Sequence, residues 1–264
     1  MPHDVDPFTA NFARSRPLMG VTILLAEDSR FCSEAVRLMA LRSGARLRRA
    51  DCVKSAYSHL KLYKPDLVIV DLGLPDGSGL DLIRDLSAQN RPEQIIIALS
   101  GDDSDGIEAS VIAAGAQGFL TKPIRSLANF QDRIVAVLAA HRTGQAYPVQ
   151  PAEGDTDDAV DLDRQALFDD LDRQALFDDL DRIRKILETA LPEGDRAQLR
   201  YCAQFVDSVG QTARDRELTQ QARRFFRRME TGAPGQESGH QMLQLLRRKL
   251  SENAPLIQSR EHVA

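Results

Sequence analysis

No apolar run in this chain approaches the ~20 residues needed to cross a bilayer, and only three cysteines are present among 264 residues. The first absence predicts no transmembrane helix. The second excludes a disulfide framework, because Cys32, Cys52 and Cys202 are far apart and form no CxxC pair for zinc. They read as reduced, partly buried thiols of a cytoplasmic protein. A basic start followed by an apolar core is also missing: the opening residues include His3, Asp4 and Asp6, so 1–17 is expected to be a flexible N-terminus and no secretion signal. A formal charge of −5 offers no overall attraction to nucleic acid or to membrane. His59, His141, His240 and His262 lack the mutual spacing of metal ligands and read as surface residues.

What is present is ordinary for a globular chain, with 42% hydrophobic and 28% charged residues. The length suits two modest domains, since one core commonly serves roughly 100 to 150 residues. The stretch that organises the first is KPDLVIVDLGLPDGSGL, from Lys64 to Leu80. Leu67–Val70 is continuously apolar and rich in β-branched residues, which predicts a buried parallel strand delivering Asp71 to its carboxyl end. Open α/β sheets bind ligands at that end. Leu74–Gly79 then reads as a turn and a helix start, with Ser78 able to cap the following amides.

The same strand-then-helix unit recurs along residues 21–140. VTILLAED ends in Glu27 and Asp28, Ala45–Ala50 is a weaker strand, Gln94–Leu99 ends at Ser100, and Gln117–Leu120 is followed by Thr121-Lys122-Pro123. Helices are expected at Ser29–Ser43, Val53–Tyr63, Leu80–Ser87, about Asp105–Ala114 and Ser126–Ala140. Five strands alternating with five helices predict a doubly wound five-stranded parallel sheet, an α/β fold. Every notable polar residue falls where a strand ends. Three carboxylates gathered there would repel unless a cation joined them, and an all-oxygen site suits Mg²⁺. Asp71 can then act as a nucleophile toward phosphorus, with Lys122 neutralising phosphoryl oxygens and Ser100 donating to one of them.

In these residues the sequence resembles the receiver domain of two-component response regulators, over about Gly20 to His141. The acid pair looks like Glu27-Asp28, the phosphoacceptor like Asp71 in VDLGLPDGSG, the switch hydroxyl like Ser100 in ALSGDD and the lysine like Lys122 in TKP. The separations from Asp28 through Asp71 and Ser100 to Lys122 are 43, 29 and 22 residues. The resemblance implies phosphoryl transfer to Asp71 from a histidine kinase or phosphotransfer protein, with Mg²⁺ held by Glu27, Asp28, Asp71 and the Gly73 carbonyl. Phe119 fills the aromatic switch position; a Phe fixed in the core is the alternative. Gly73 and Asp102 occupy places that in this family tune access of water to the aspartyl phosphate.

Residues 143–158, TGQAYPVQPAEGDTDD, have no periodicity and read as a linker between a domain at 18–142 and a helical one at 159–264. DRQALFDDL then occurs twice, at Asp163–Leu171 and Asp172–Leu180. One long helix is expected to run to about Leu191, with Pro192 and Gly194 ending it. Nine residues at about 100° each leave the copies half a turn apart. Leu176, Phe177, Leu180, Ile183 and Leu187 therefore face one side, and Leu167, Phe168 and Leu171 the other, where they would cover either the receiver or the same helix of a second protomer in a homodimer, unless the first copy is a solvated extension.

Helices at about Asp195–Thr212, Glu217–Glu230 and His240–Ser251 complete a four-helix bundle. Residues 194–225 are weakly similar to the histidine phosphotransfer domain, but Gln204 stands where its phosphorylatable His would fall, and Asp207 and Ser208 replace the Lys and Gly that follow. The similarity implies a degenerate bundle that binds a protein target without relaying; an unrelated bundle is the alternative. Arg223, Arg224, Arg227 and Arg228 form a basic helix face, expected to be solvated and to pair with the acidic segment Asp155–Asp181; contact with nucleic-acid phosphates is the competing reading. No helix-turn-helix spacing, nucleotide-cyclase signature or hydrolase motif follows residue 142, so a regulator is expected rather than an enzyme.

Overall fold

The computed structural model describes residues 16–89, 94–101, 106–124, 126–143, 173–231 and 236–258. The expected linker beyond Thr143, the first DRQALFDDL copy, Asp102 and residues 1–15 lie outside them. Contacts divide the chain into two compact units. Residues up to Asp28, together with those from Ala35 to the end of the sheet-bearing half, form the first; Ser29–Glu34 packs with the C-terminal helices in the second.

The first unit is a five-stranded parallel sheet in the order β2-β1-β3-β6-β7. Its strands are β1 (Thr22–Ala26), β2 (Arg46–Ala50), β3 (Leu67–Asp71), β6 (Ile95–Ser100) and β7 (Gly118–Thr121). The central strands LVIVD and IIIALS are buried along their whole length, as strands covered on both faces must be. The edge strand RLRRA alternates instead, with Arg46 and Arg48 exposed. One core, with Leu25, Ile69, Ile97, Leu120 and Phe130, takes its helical side chains from α1 (Arg30–Arg42) and α5 (Leu127–Thr143). The other, with Leu24, Val70, Ile96 and Ala98, takes them from α2 (Val53–Leu62), α3 (Gly79–Ala88) and α4 (Ile107–Ala113). Phe119 belongs to this second core and is buried.

The expected turn after Asp71 proves to be a miniature antiparallel hairpin, β4 (Gly73–Leu74) with β5 (Gly77–Ser78). Ser78 stands at the N-cap of α3 but makes no side-chain cap bond there, contrary to expectation. The capping side chain on this hairpin is Asp76, which serves α2: it accepts from Val53 N at 2.7 Å and Lys54 N at 3.0 Å.

In the second unit α6 (Arg173–Glu193), α7 (Arg196–Thr212), α8 (Arg216–Glu230) and α9 (Gln236–Gln258) pack in a ring, α7 and α9 each touching both α6 and α8. Pro192 lies inside the last turn of α6 and Gly194 follows at φ +66°. Asp195 and Asp215 start the next two helices by accepting from the amides two and three residues ahead. A Cβ on Gly210 would meet Thr219 Oγ1 at 2.8 Å, so glycine permits the close approach of α7 and α8. Leu180, Ile183, Leu187, Cys202, Val206, Val209, Leu218, Ala222 and Phe225 fill the core as their helical spacing predicts. Phe226 is only half-buried, under the Arg200 guanidinium.

Asp155–Asp172 of the expected acidic partner segment lie outside the described residues; among the described residues the arginines pair with acids of the bundle itself. Arg223 pairs with Asp207 and Arg228 with Glu237, while Arg247 reaches Glu188 and Arg248 reaches Glu217. Such exposed pairs contribute little each. Packing therefore dominates the energetics of this unit. Phe225→Ala is expected to lower its stability by about 3 to 5 kcal/mol and Phe226→Ala by much less, as read from helical circular dichroism against urea.

Candidate functional site

The sheet order brings the ends of β1 and β3 side by side, because Ala26 pairs with Val70. Glu27 and Asp28 leave β1 beside Asp71, and all three carboxyls are buried. Each offers an oxygen within 4.8 Å of the others. β6 and β7 bring the remaining residues through the backbone: Lys122 N donates to the Ser100 carbonyl at 2.7 Å, and Leu72 N to that of Leu99 at 3.2 Å. The Lys122 ammonium, 4% exposed as a residue, lies 2.5 Å from Glu27 Oε2 and 3.0 Å from Asp71 Oδ2. Ser100 ends β6 and is buried too. Glu27, Asp28, Asp71, Gly73, Ser100 and Lys122 thus come from four strand ends and the hairpin.

Three residues outside the expected set hold this arrangement. Arg49 on the edge strand donates from Nε to the Glu27 carbonyl at 2.9 Å and from Nη2 to the Asp28 carbonyl at 2.5 Å. Gly79 lets α3 begin against the phosphoacceptor candidate, for a Cβ there would lie 1.9 Å from the Asp71 carbonyl oxygen. The third, Asp76, ties the hairpin to α2. Gly79 had a legible signal, glycine at the helix start after the turn. Arg49 had none, since an alternating edge strand gives its arginines no distinguishing pattern.

Among the described residues, one ammonium faces the three acids of the pocket. Burial pushes the Glu27 carboxyl up to about 8, with Asp71 and Asp28 adding to the shift and Lys122 opposing it. Asp71 is raised as well, chiefly by burial and then by Asp28, against Lys122 and a bond from the Gly73 N–H. Even a contacting ammonium does not offset the lost hydration of these groups. The arrangement can hold a hard divalent cation on carboxylate oxygens, and the donor set fits Mg²⁺. A carboxylate so placed, with an ammonium and a hydroxyl alongside, can attack an electrophile whose developing negative charge those groups receive.

The family described as the response regulator receiver domain matches residues 23–134. Residues 23–134 are a response regulator receiver domain. Similar curated proteins are the KDP operon transcriptional regulatory protein KdpE of Escherichia coli and the cell cycle transcriptional regulator CtrA of Caulobacter vibrioides. The first is 33% identical over 119 residues, covering 45% of this chain and 52% of the relative; the second is 33% identical over 118, covering 45% and 48%. The chain thus spans about half the length of the curated relatives it matches. Among solved structures, the signal receiver domain of a putative Luxo repressor protein from Vibrio parahaemolyticus is 26% identical, with 47% of this chain and 94% of that one covered and a TM-score of 0.43. The receiver match ends before α6, so the helical unit is not identified by it.

The raised Glu27 carboxyl gives the receiver a pH dependence. Unfolded Glu27 releases its proton near 4.5, whereas the folded residue keeps it to about 8. The stability tied to that retained proton is complete below 4.5 and is lost as pH rises toward 8. In EDTA, the unfolding free energy measured against urea should fall over this window, and Glu27→Gln should remove the part of that fall, on the order of a few kcal/mol, that Glu27 causes. Gly79→Ala should unfold the receiver or displace the Asp71 backbone, seen as lost near-ultraviolet tyrosine dichroism.

Proposed function

We propose that the receiver accepts a phosphoryl group on Asp71 from a histidine kinase or phosphotransfer protein, and that the helical unit passes the signal to a protein target. The observation that carries the first part is the buried contact of Lys122 with both Glu27 and Asp71, within reach of Asp28. Glu27, Asp28 and Asp71, with the Gly73 carbonyl, would hold Mg²⁺. When bound, the ion supplies charge neutralisation for the phosphoryl oxygens. An Asp71 carboxylate oxygen attacks phosphorus, the bond to the donor nitrogen breaks, and the electron pair leaves with the donor. Lys122 Nζ receives one phosphoryl oxygen in place of its present carboxylate contact, and the Ser100 hydroxyl donates to another.

The case for a binding output rests on Gln204, which is exposed on α7 and carries no ring nitrogen to take a phosphoryl group. Exposed Arg224 and Arg227 favour a second reading, in which the basic face of α8 meets nucleic-acid phosphates. The relatives are transcriptional regulators by name, but only about half of each is matched. Retention of DNA or RNA falling steeply with salt would support the nucleic-acid reading, whereas protein capture indifferent to moderate salt would support the first.

Acetyl phosphate with Mg²⁺ should add one phosphate per chain, and Asp71→Asn should add none. Persistent label in that variant overturns the assignment. Lys122→Ala should still be labelled but slowly, with signal output lost. No label should transfer onto residues 156–264.

A further inference from the structure

The second unit contains a buried acid that none of the preceding chemistry uses. Asp179 of α6 is 2% exposed. Its Oδ2 accepts from the Ser29 hydroxyl at 2.8 Å and from Phe31 N at 3.0 Å, and its Oδ1 from Arg30 N at 3.2 Å. Ser29 Oγ in turn accepts from Cys32 N at 2.9 Å. The first-turn amides of α1 are thus supplied in sequence, two by Asp179 and one by the serine that Asp179 fixes. α1 has no acidic residue of its own in that turn. Its opening amides carry the positive end of the helix dipole, so a carboxylate is the favoured acceptor.

Three further contacts hold the segment Ser29–Glu34. Arg30 pairs with Asp178 at 3.2 Å, and Cys32 Sγ lies 3.3 Å from Thr212 Oγ1 and 3.7 Å from Ser208 Oγ on α7. Burial raises the Asp179 carboxyl, against bonds from Phe31, Ser29 and Arg30. Ser29 directly follows Asp28 in the chain. A backbone one peptide away from a ligand carboxylate cannot fray without moving it.

We propose that Asp179 is a positioning residue for the acid pocket: by capping α1 it fixes the backbone that carries Asp28 and so sets the affinity for Mg²⁺. The inference rests on the reading of Glu27, Asp28 and Asp71 as the Mg²⁺ site. Linkage makes it reciprocal: if the capped state binds the ion more tightly, the ion must strengthen the cap by the same factor. The conformational signal then has a definite carrier, the segment Ser29–Glu34.

The test uses the full chain with Mg²⁺ alone and with acetyl phosphate. In the wild type, Mg²⁺ should slow hydrogen exchange at residues 29–34 by about five-fold or more, the lower range of typical coupling. Asp179→Ala should raise the Mg²⁺ concentration giving half-maximal labelling by a similar factor while leaving the final extent near one phosphate. Asp179→Asn, which keeps one acceptor oxygen, should recover part of the affinity. Exchange at residues 29–34 indifferent to Mg²⁺ while labelling still requires the ion would overturn the positioning role and leave the proposed function standing. Labelling without any need for Mg²⁺ would overturn both. If Asp179→Ala loses helical dichroism, the wild-type exchange measurement decides alone.

Discussion

An ammonium buried among carboxylates is the constraint on which the receiver turns. Lys122 is almost wholly withdrawn from water and contacts Glu27 and Asp71 at once, while Asp28 completes the cluster. An ion pair of this kind rarely stabilises a fold, because desolvation costs about as much as attraction returns. Three carboxyl groups face one ammonium among the described residues, so the pocket is an arrangement that suits a further cation. The stability it costs is offset by the two apolar layers on either face of the sheet, to which β3 and β6 contribute unbroken buried runs.

The receiver was legible because its signals are local. Period and composition located all five strands, and the polar residues at their ends could be gathered by the rule that parallel strands end on one side of a sheet. What escaped notice involves partners distant in sequence. Asp179 lies in DRQALFDDL among other acids, where helical spacing suggests only a solvated face; its burial comes from Ser29 and Phe31, about 150 residues earlier. Arg49 was hidden for a similar reason, since its bonds run to carbonyls of the neighbouring strand. Ser78 misled in the opposite sense: the right residue type stands at the N-cap, but its hydroxyl does not turn to the amides.

The helical unit was legible in its core and less so on its surface. Apolar residues at helical spacing on α6, α7 and α8 became the bundle interior, because burial of a stripe is dictated by its own periodicity. Ion pairs carry no such periodicity. Arg223 and Arg228 of α8 meet Asp207 and Glu237, partners set by which helices lie next to one another. The exposed Gln204 on α7 was visible as an absence, an amide where the related domain has an imidazole.

The hairpin after Asp71 is fastened at both ends. Gly79 seats against the Asp71 carbonyl with no room for one methyl group, and Asp76 holds the first amides of α2 with both carboxylate oxygens. Between those fixed points the chain has no slack, so the span from Leu72 to Ser78 has a set length. An inserted or deleted residue there would either pull Asp76 off α2 or push α3 away from the strand. This loop, although exposed at Pro75 and Asp76, should accept changes of side chain far more readily than changes of length.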